Sequence, residues 1–191
     1  MAAPITAGFE QWTERQTLSP AQMAELQALM ASHATQSLAH LAAAKGDEQR
    51  FYALPAAAIG AYDLGRYEEA RTLADELLAA VPRYTGNWNV GNAIHDGHMV
   101  LGLVALHAGD VAKAISELKS AGDTPGSPQL GSFGPSMQLA KALLEQGQME
   151  PVLAYFGQCR RFWTSGSGWL DAWEATVSDK RVPNFMLHAY R

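Results

Sequence analysis

Apolar side chains recur at helical spacing along most of the chain, and the breaks between these stretches fall on glycine and proline. Met23, Leu26, Met30, Leu38 and Leu41 keep an approximate stripe, introduced by Ser19-Pro20-Ala21-Gln22. In that opening, Ser19 is placed to cap a helix, Pro20 to fill its first turn and Gln22 to complete the reciprocal cap. The pattern predicts a first helix from Pro20 to about Lys45, stopped by Gly46. Further helices are predicted over about 48–64, 67–81, 91–107, 111–120, 135–145 and 149–162, with a last one over about 168–177. Gly65, Gly109 and Gly147 each precede a new helix by two residues and lie 44 and 38 residues apart. A helix-turn-helix unit is therefore written three times, over about 51–82, 91–121 and 135–162, followed by a capping helix and tail, 168–191. Residues 18–191 read as a single helical domain and 1–17, with Phe9 and Trp12, as an N-terminal arm.

The period is near the tetratricopeptide length but longer, so the excess belongs to loops. Aligned on the turn glycines, Ala58, Gly102 and Ala140 fall where paired helices cross. Ala70, Ala114 and Val152 fall at the small position of each second helix, and Pro82 at the terminal proline. The expected fold is all-α: a tetratricopeptide-like stack of antiparallel helix pairs, an α-α superhelix, with two long ordered inter-repeat loops and a C-terminal capping helix. Trp169 and Trp173, four apart, would cover the last apolar surface. The tail cannot continue that helix past Pro183, and its alternation of Phe185, Leu187 and Ala189 predicts an extended segment against the body.

Composition supports this picture and excludes several partners. Alanine occupies 33 positions, supplying helix propensity and small side chains for close helix approach. The 14 basic and 19 acidic residues give a net charge of −5 with no basic stripe, which disfavours nucleic acid. Arg160-Arg161 reads as a helix C-terminal charge pair. Cys159, a lone cysteine between Phe156 and Phe162, reads as an apolar filler in a reducing compartment. No secretory leader is legible at the N-terminus, and the longest apolar run, Met99 to Leu106, is too short to span a membrane. A cytoplasmic monomer or weak homodimer without metal or cofactor is expected.

The two long connections, 83–92 and 122–136, join consecutive repeats and fall on the same edge of the predicted stack. Tyr84, Trp88, Leu130 and Phe133 are apolar anchors in them, and Pro125, Pro128 and Pro135 restrict the backbone. Their polar residues are mostly amides and hydroxyls, which commonly tie loop backbones together. The same residues open a second reading, a ligand site built from Asn89, Asn92, His95, Asp96, His98, Gln129, Ser132 and Phe133. In that reading His95 acts as acid or base, while Asn92, Gln129 and Ser132 orient a substrate. His95 and His98, three apart, have a spacing that can chelate a metal, but no third ligand is evident, and the favoured reading makes one of them a hydrogen-bonded structural group inside the loop platform. No nucleophile elbow, phosphate-binding loop, dinucleotide fingerprint or zinc-protease motif is present.

The strings NWNVGNAIHDGHMVLGLVALHAGDVAKA and TPGSPQLGSFGPSMQLAKALLEQGQMEPVLAYFGQCRRFW, with the ending VPNFMLHAY, resemble a family of uncharacterised bacterial tetratricopeptide-like proteins. The likeness runs from about Leu54 to the C-terminus, with Asp96 standing where a second His is common and Ser136 in place of Asn. It implies the helical-repeat fold and carries no activity with it. The leading functional expectation is a noncatalytic module for a peptide or protein partner, as helical repeats commonly are. The alternative is a small-molecule or enzymatic site at the loop edge around His95.

Overall fold

The computed structural model describes residues 18–189, so the expected N-terminal arm lies outside the described residues. Regular structure within them is entirely helical. The helices are α1 Pro20–Ala43, α2 Asp47–Asp63, α3 Tyr67–Ala80, α4 Val90–His107, α5 Val111–Gly122, α6 Pro128–Phe133, α7 Gln138–Glu145, α8 Met149–Cys159 and α9 Ser167–Ser178. Short 3-10 turns lie at Val81–Tyr84, Thr164–Gly166 and Met186–Ala189. The start of α1 has the reciprocal cap of Ser19 and Gln22 that its sequence predicts.

The three turn glycines close their helices in one way. Gly65, Gly109 and Gly147 donate to Tyr62, Leu106 and Leu144, while the following Arg66, Asp110 and Gln148 donate to Ala61, Ala105 and Leu143. The glycine φ values are 73°, 82° and 78°, a region glycine enters without the Cβ penalty. The next residues share φ of −90°, −87° and −84° and ψ of 63°, 79° and 72°, so α3, α5 and α8 leave their turns in matching directions. Ala70, Ala114 and Val152 are fully buried, as are Ala58 and Ala140.

Helix α4 is the central element, packing on α2, α3, α5, α6 and α7. It contributes Ala93, Val100 and Val104 to an N-terminal core around Phe51, Leu54 and Leu77. Met99, Leu103 and Leu106 enter a C-terminal core with Leu118, Phe156 and Trp173. Gly102 permits this double contact, since a Cβ there would stand 2.2 Å from Leu139 Cδ2 of α7 and 3.1 Å from Glu117 Cβ of α5. The predicted crossing at Gly102 therefore involves the next helix pair as well as its own.

Four local expectations are corrected. The connection 122–136 contains a helix, α6, because Ser127 caps Leu130 and Pro128 fills the first turn, the same start signal seen at Ser19-Pro20. Helix α7 begins at Gln138 rather than 135, after Gly134 at φ 79° and the hydrogen bond from Met137 N to the His188 carbonyl at 2.7 Å. Helix α8 ends at Cys159; Arg160 reaches Asp171 and Glu174, and Arg161 reaches the Gly122 carbonyl, so the pair ties α8 to α9 and α5. The tail is not extended: Asn184 caps the Met186 N–H, Met186 takes φ 51°, and the chain turns back with Phe185 buried against Phe156 and Trp173. No helix among the described residues is long and apolar enough to cross a membrane.

Candidate functional site

Because α4 starts at Val90, the residues Asn89, Asn92, Asp96 and Met99 follow at three- and four-residue spacing and share one face. That face, the outer side of α2 and the segment from α6 to Ser136 enclose a cavity of about 300 Å³. Pro55, Ala56, Ile59, Met99, Val100 and Leu130 form its apolar wall. Asn89, Asn92, Asp96, Gln129 and Ser136 bring polar groups, and Tyr52 adds a ring stacked at 5.7 Å on Trp88. Volume and lining have the character of a small-molecule site, an apolar body with few polar anchors.

The two connections are joined at Asn92. Its Nδ2 donates to Asn89 Oδ1 at 2.8 Å and to Gln129 Oε1 at 3.3 Å, and its Oδ1 accepts from the Ser127 hydroxyl. One residue earlier on α4, the Thr124 hydroxyl donates to the Gly91 carbonyl at 2.7 Å. Backbone approach here is closer than any side chain permits: a Cβ on Gly91 would lie 1.8 Å from the Gly126 carbonyl oxygen. Gly126, at φ 82°, is itself backed by Phe162. The loop residues thus bond to one another, as loop amides and hydroxyls do, and also border an open cavity.

The predicted site residues separate into three groups. Asn89, Asn92, Asp96 and Gln129 line the cavity. Ser132 and Phe133 lie exposed on α6, outside that lining. His95 and His98 do not converge, contrary to the shared-ligand spacing. His95 has no exposed surface; its Nδ1 bonds Asp96 Oδ1 at 2.8 Å and its Nε2 pairs with the Tyr155 hydroxyl at 3.0 Å. Tyr155 in turn donates to the Ser136 carbonyl at 3.1 Å. His95 therefore stands behind the wall and orients Asp96, so the acid or base role assigned to it at a substrate is withdrawn. His98 instead donates from Nδ1 to Glu117 at 2.6 Å. His107 stacks on Tyr67, and His188 sits among Trp163, Trp169 and Trp173. The described residues contain no group of three or more His, Cys, Asp or Glu placed to hold a metal.

Electrostatics separate these groups further. Burial works to raise the Glu117 carboxyl, but hydrogen bonds from His98 and Lys113 outweigh it and hold the group below its ordinary range. Burial pushes the Tyr155 phenol well up and the Cys159 thiol up to about 12, which leaves Cys159 a packed thiol rather than a nucleophile.

Sequence reading overlooked the α2 wall, Gly91, Gly126 and Tyr155. A helix reading of 48–64 places Tyr52, Ala56 and Ile59 on one face, but which neighbour that face meets depends on tertiary packing. The signal for the close approach was available in the Val-Gly-Asn and Pro-Gly-Ser strings within the two connections. No protein-family model, curated protein sequence or solved structure matches the chain.

Proposed function

We propose that this chain binds a small molecule in the cavity between α2, α4 and α6, on a scaffold that is a tetratricopeptide-like stack of helix pairs. The repeated turn geometry supports the scaffold reading. The observation that carries the ligand reading is the meeting of four loop-edge polar residues, Asn89, Asn92, Asp96 and Gln129, with an apolar wall around about 300 Å³. Peptide engagement remains a second reading, supported by a groove of about 350 Å³ that includes Arg71, Asp75, Leu101, Val104 and Lys113.

The test is a small-molecule library screened by methyl NMR on the wild type and on Ala56→Trp. Ala56 is an exposed position of the cavity wall, so tryptophan fills the site without entering the core. Hits that move the Ile59 and Met99 methyl signals and are lost in Ala56→Trp support the reading. Hits indifferent to the substitution overturn it. Peptides that move Leu101 and Val104 instead favour the groove.

A further inference from the structure

Among the described residues, Asp96 is the one ionisable carboxylate or base in the cavity wall, where every other polar group is an amide, a hydroxyl or backbone. Its carboxylate is held on one side only. Oδ1 is engaged by the buried His95 ring, and no described group bonds Oδ2. The side chain is 36 % exposed, intermediate between a solvated surface carboxylate and a buried ion pair. No lysine or arginine among the described residues lines the cavity to neutralise it. The remaining wall includes Ile59, Met99 and Leu130 and the face-stacked Tyr52, surfaces suited to an alkyl chain and to a cation near an aromatic ring.

Building on the small-molecule reading, we propose that the cavity takes a small organic amine, bound as its ammonium ion to Asp96 with its alkyl part on the Ile59, Met99 and Leu130 wall. An ammonium N–H donated to Oδ2 makes a charge-assisted hydrogen bond, and the cavity walls exclude part of the water that would weaken it. His95 acts as a positioning residue: it clamps Oδ1 and has its other nitrogen on Tyr155, which fixes the carboxylate plane. A carboxylate ligand would meet the Asp96 charge with no cation to offset it, so anions are rejected.

The test titrates n-butylammonium, 1-butanol and butyrate against the protein, read from the Ile59 and Met99 methyl signals. Butylammonium is expected to bind at least about tenfold tighter than 1-butanol, with butyrate weakest, because a hydrogen bond to a charged group exceeds a neutral one. Asp96→Asn should abolish this preference. Since Asp96 also holds His95, a second variant, Gln129→Lys, adds a cation at an exposed wall position and should weaken butylammonium while admitting butyrate. Equal binding of butylammonium and 1-butanol overturns the amine assignment and leaves the cavity reading standing. No methyl response to any of the three probes overturns both.

Discussion

The two ends of α4 are built by opposite means. At its C-terminal end, Gly109 and Asp110 close the helix with hydrogen bonds to Leu106 and Ala105, all within a few residues, and nothing lies within 4 Å of a Cβ placed on Gly109. At its N-terminal end, the Gly91 carbonyl accepts from Thr124 and Asn92 donates to Gln129, contacts that span 33 and 37 residues. Glycine is required at both ends for different reasons. Gly109 supplies a positive φ, whereas Gly91 supplies an absent side chain. The first end is a self-contained turn, found also at Gly65 and Gly147; the second is a long-range junction that carries the cavity.

The strongest way to break this comparison is Gly91→Ala. The added Cβ meets a carbonyl oxygen at 1.8 Å, and that backbone is braced by Phe162, so neither side yields cheaply. Destabilisation of about 3 kcal/mol or more is expected in urea denaturation, at the upper end of overpacking costs. A cost no larger than that of Gly109→Ala would show that the two ends do not differ as argued.

Asn92→Ala comes next. It removes three side-chain hydrogen bonds and leaves the Ser127 hydroxyl, Asn89 Oδ1 and Gln129 Oε1 without that partner. A cost of about 1–3 kcal/mol is expected, moderated by the water that reaches this edge. Hydrogen exchange should quicken selectively at the Leu130 and Gly131 amides, which close α6 on Ser127, and not at the Gly109 turn. Uniform quickening would mean that Asn92 supports the whole fold rather than the junction.

The contrast also explains which features were legible in the sequence. Turn chemistry at Gly65, Gly109 and Gly147 acts over six residues, so spacing alone placed the turns and the buried Ala70, Ala114 and Val152 beside them. The Ser127-Pro128 start was equally local, yet a six-residue helix carries too little periodicity to stand out from a Gly- and Pro-rich connection. In the tail, the alternation of Phe185 and Ala189 imitates a strand, while the actual path depends on Met186 at positive φ and on a bond to Met137 about fifty residues away. Of the site, Asn89, Asn92, Asp96 and Gln129 were legible as loop-edge polar residues. His95 was placed on the right helix, and its burial and two hydrogen bonds fit the structural reading; the partner Tyr155, 60 residues away, was not legible.

Gly109→Ala tests the local end directly. With no atom within 4 Å of the new Cβ, the cost is that of holding alanine at φ 82°, about 1–2 kcal/mol. Gly65→Ala and Gly147→Ala should match it closely, since φ is 73° and 78° there and both sites are equally open. A wide spread among the three would show that neighbouring helices, and not the turn itself, set the cost.

The smallest effect sharpens the same point from the other side. Helix α9 ends in the hydrogen-bond pattern of the three glycine turns, with Lys180 donating to Val177 at 2.9 Å and Arg181 to Thr176 at 3.1 Å. Here the residue at positive φ, 59°, is a lysine. Lys180→Gly removes the Cβ penalty of the left-handed region but adds conformational freedom to the unfolded chain, so only part of the relief survives. A stabilisation of about 0.5–1 kcal/mol is expected, with Lys180→Asn between the two because asparagine tolerates this region better than lysine. The Lys180 side chain is exposed and forms no salt bridge among the described residues, so packing and charge contribute little to the difference. If Lys180→Gly is neutral or destabilising, a positive φ is not what glycine contributes at these turns, and the cost of Gly109→Ala has to be assigned to contacts instead.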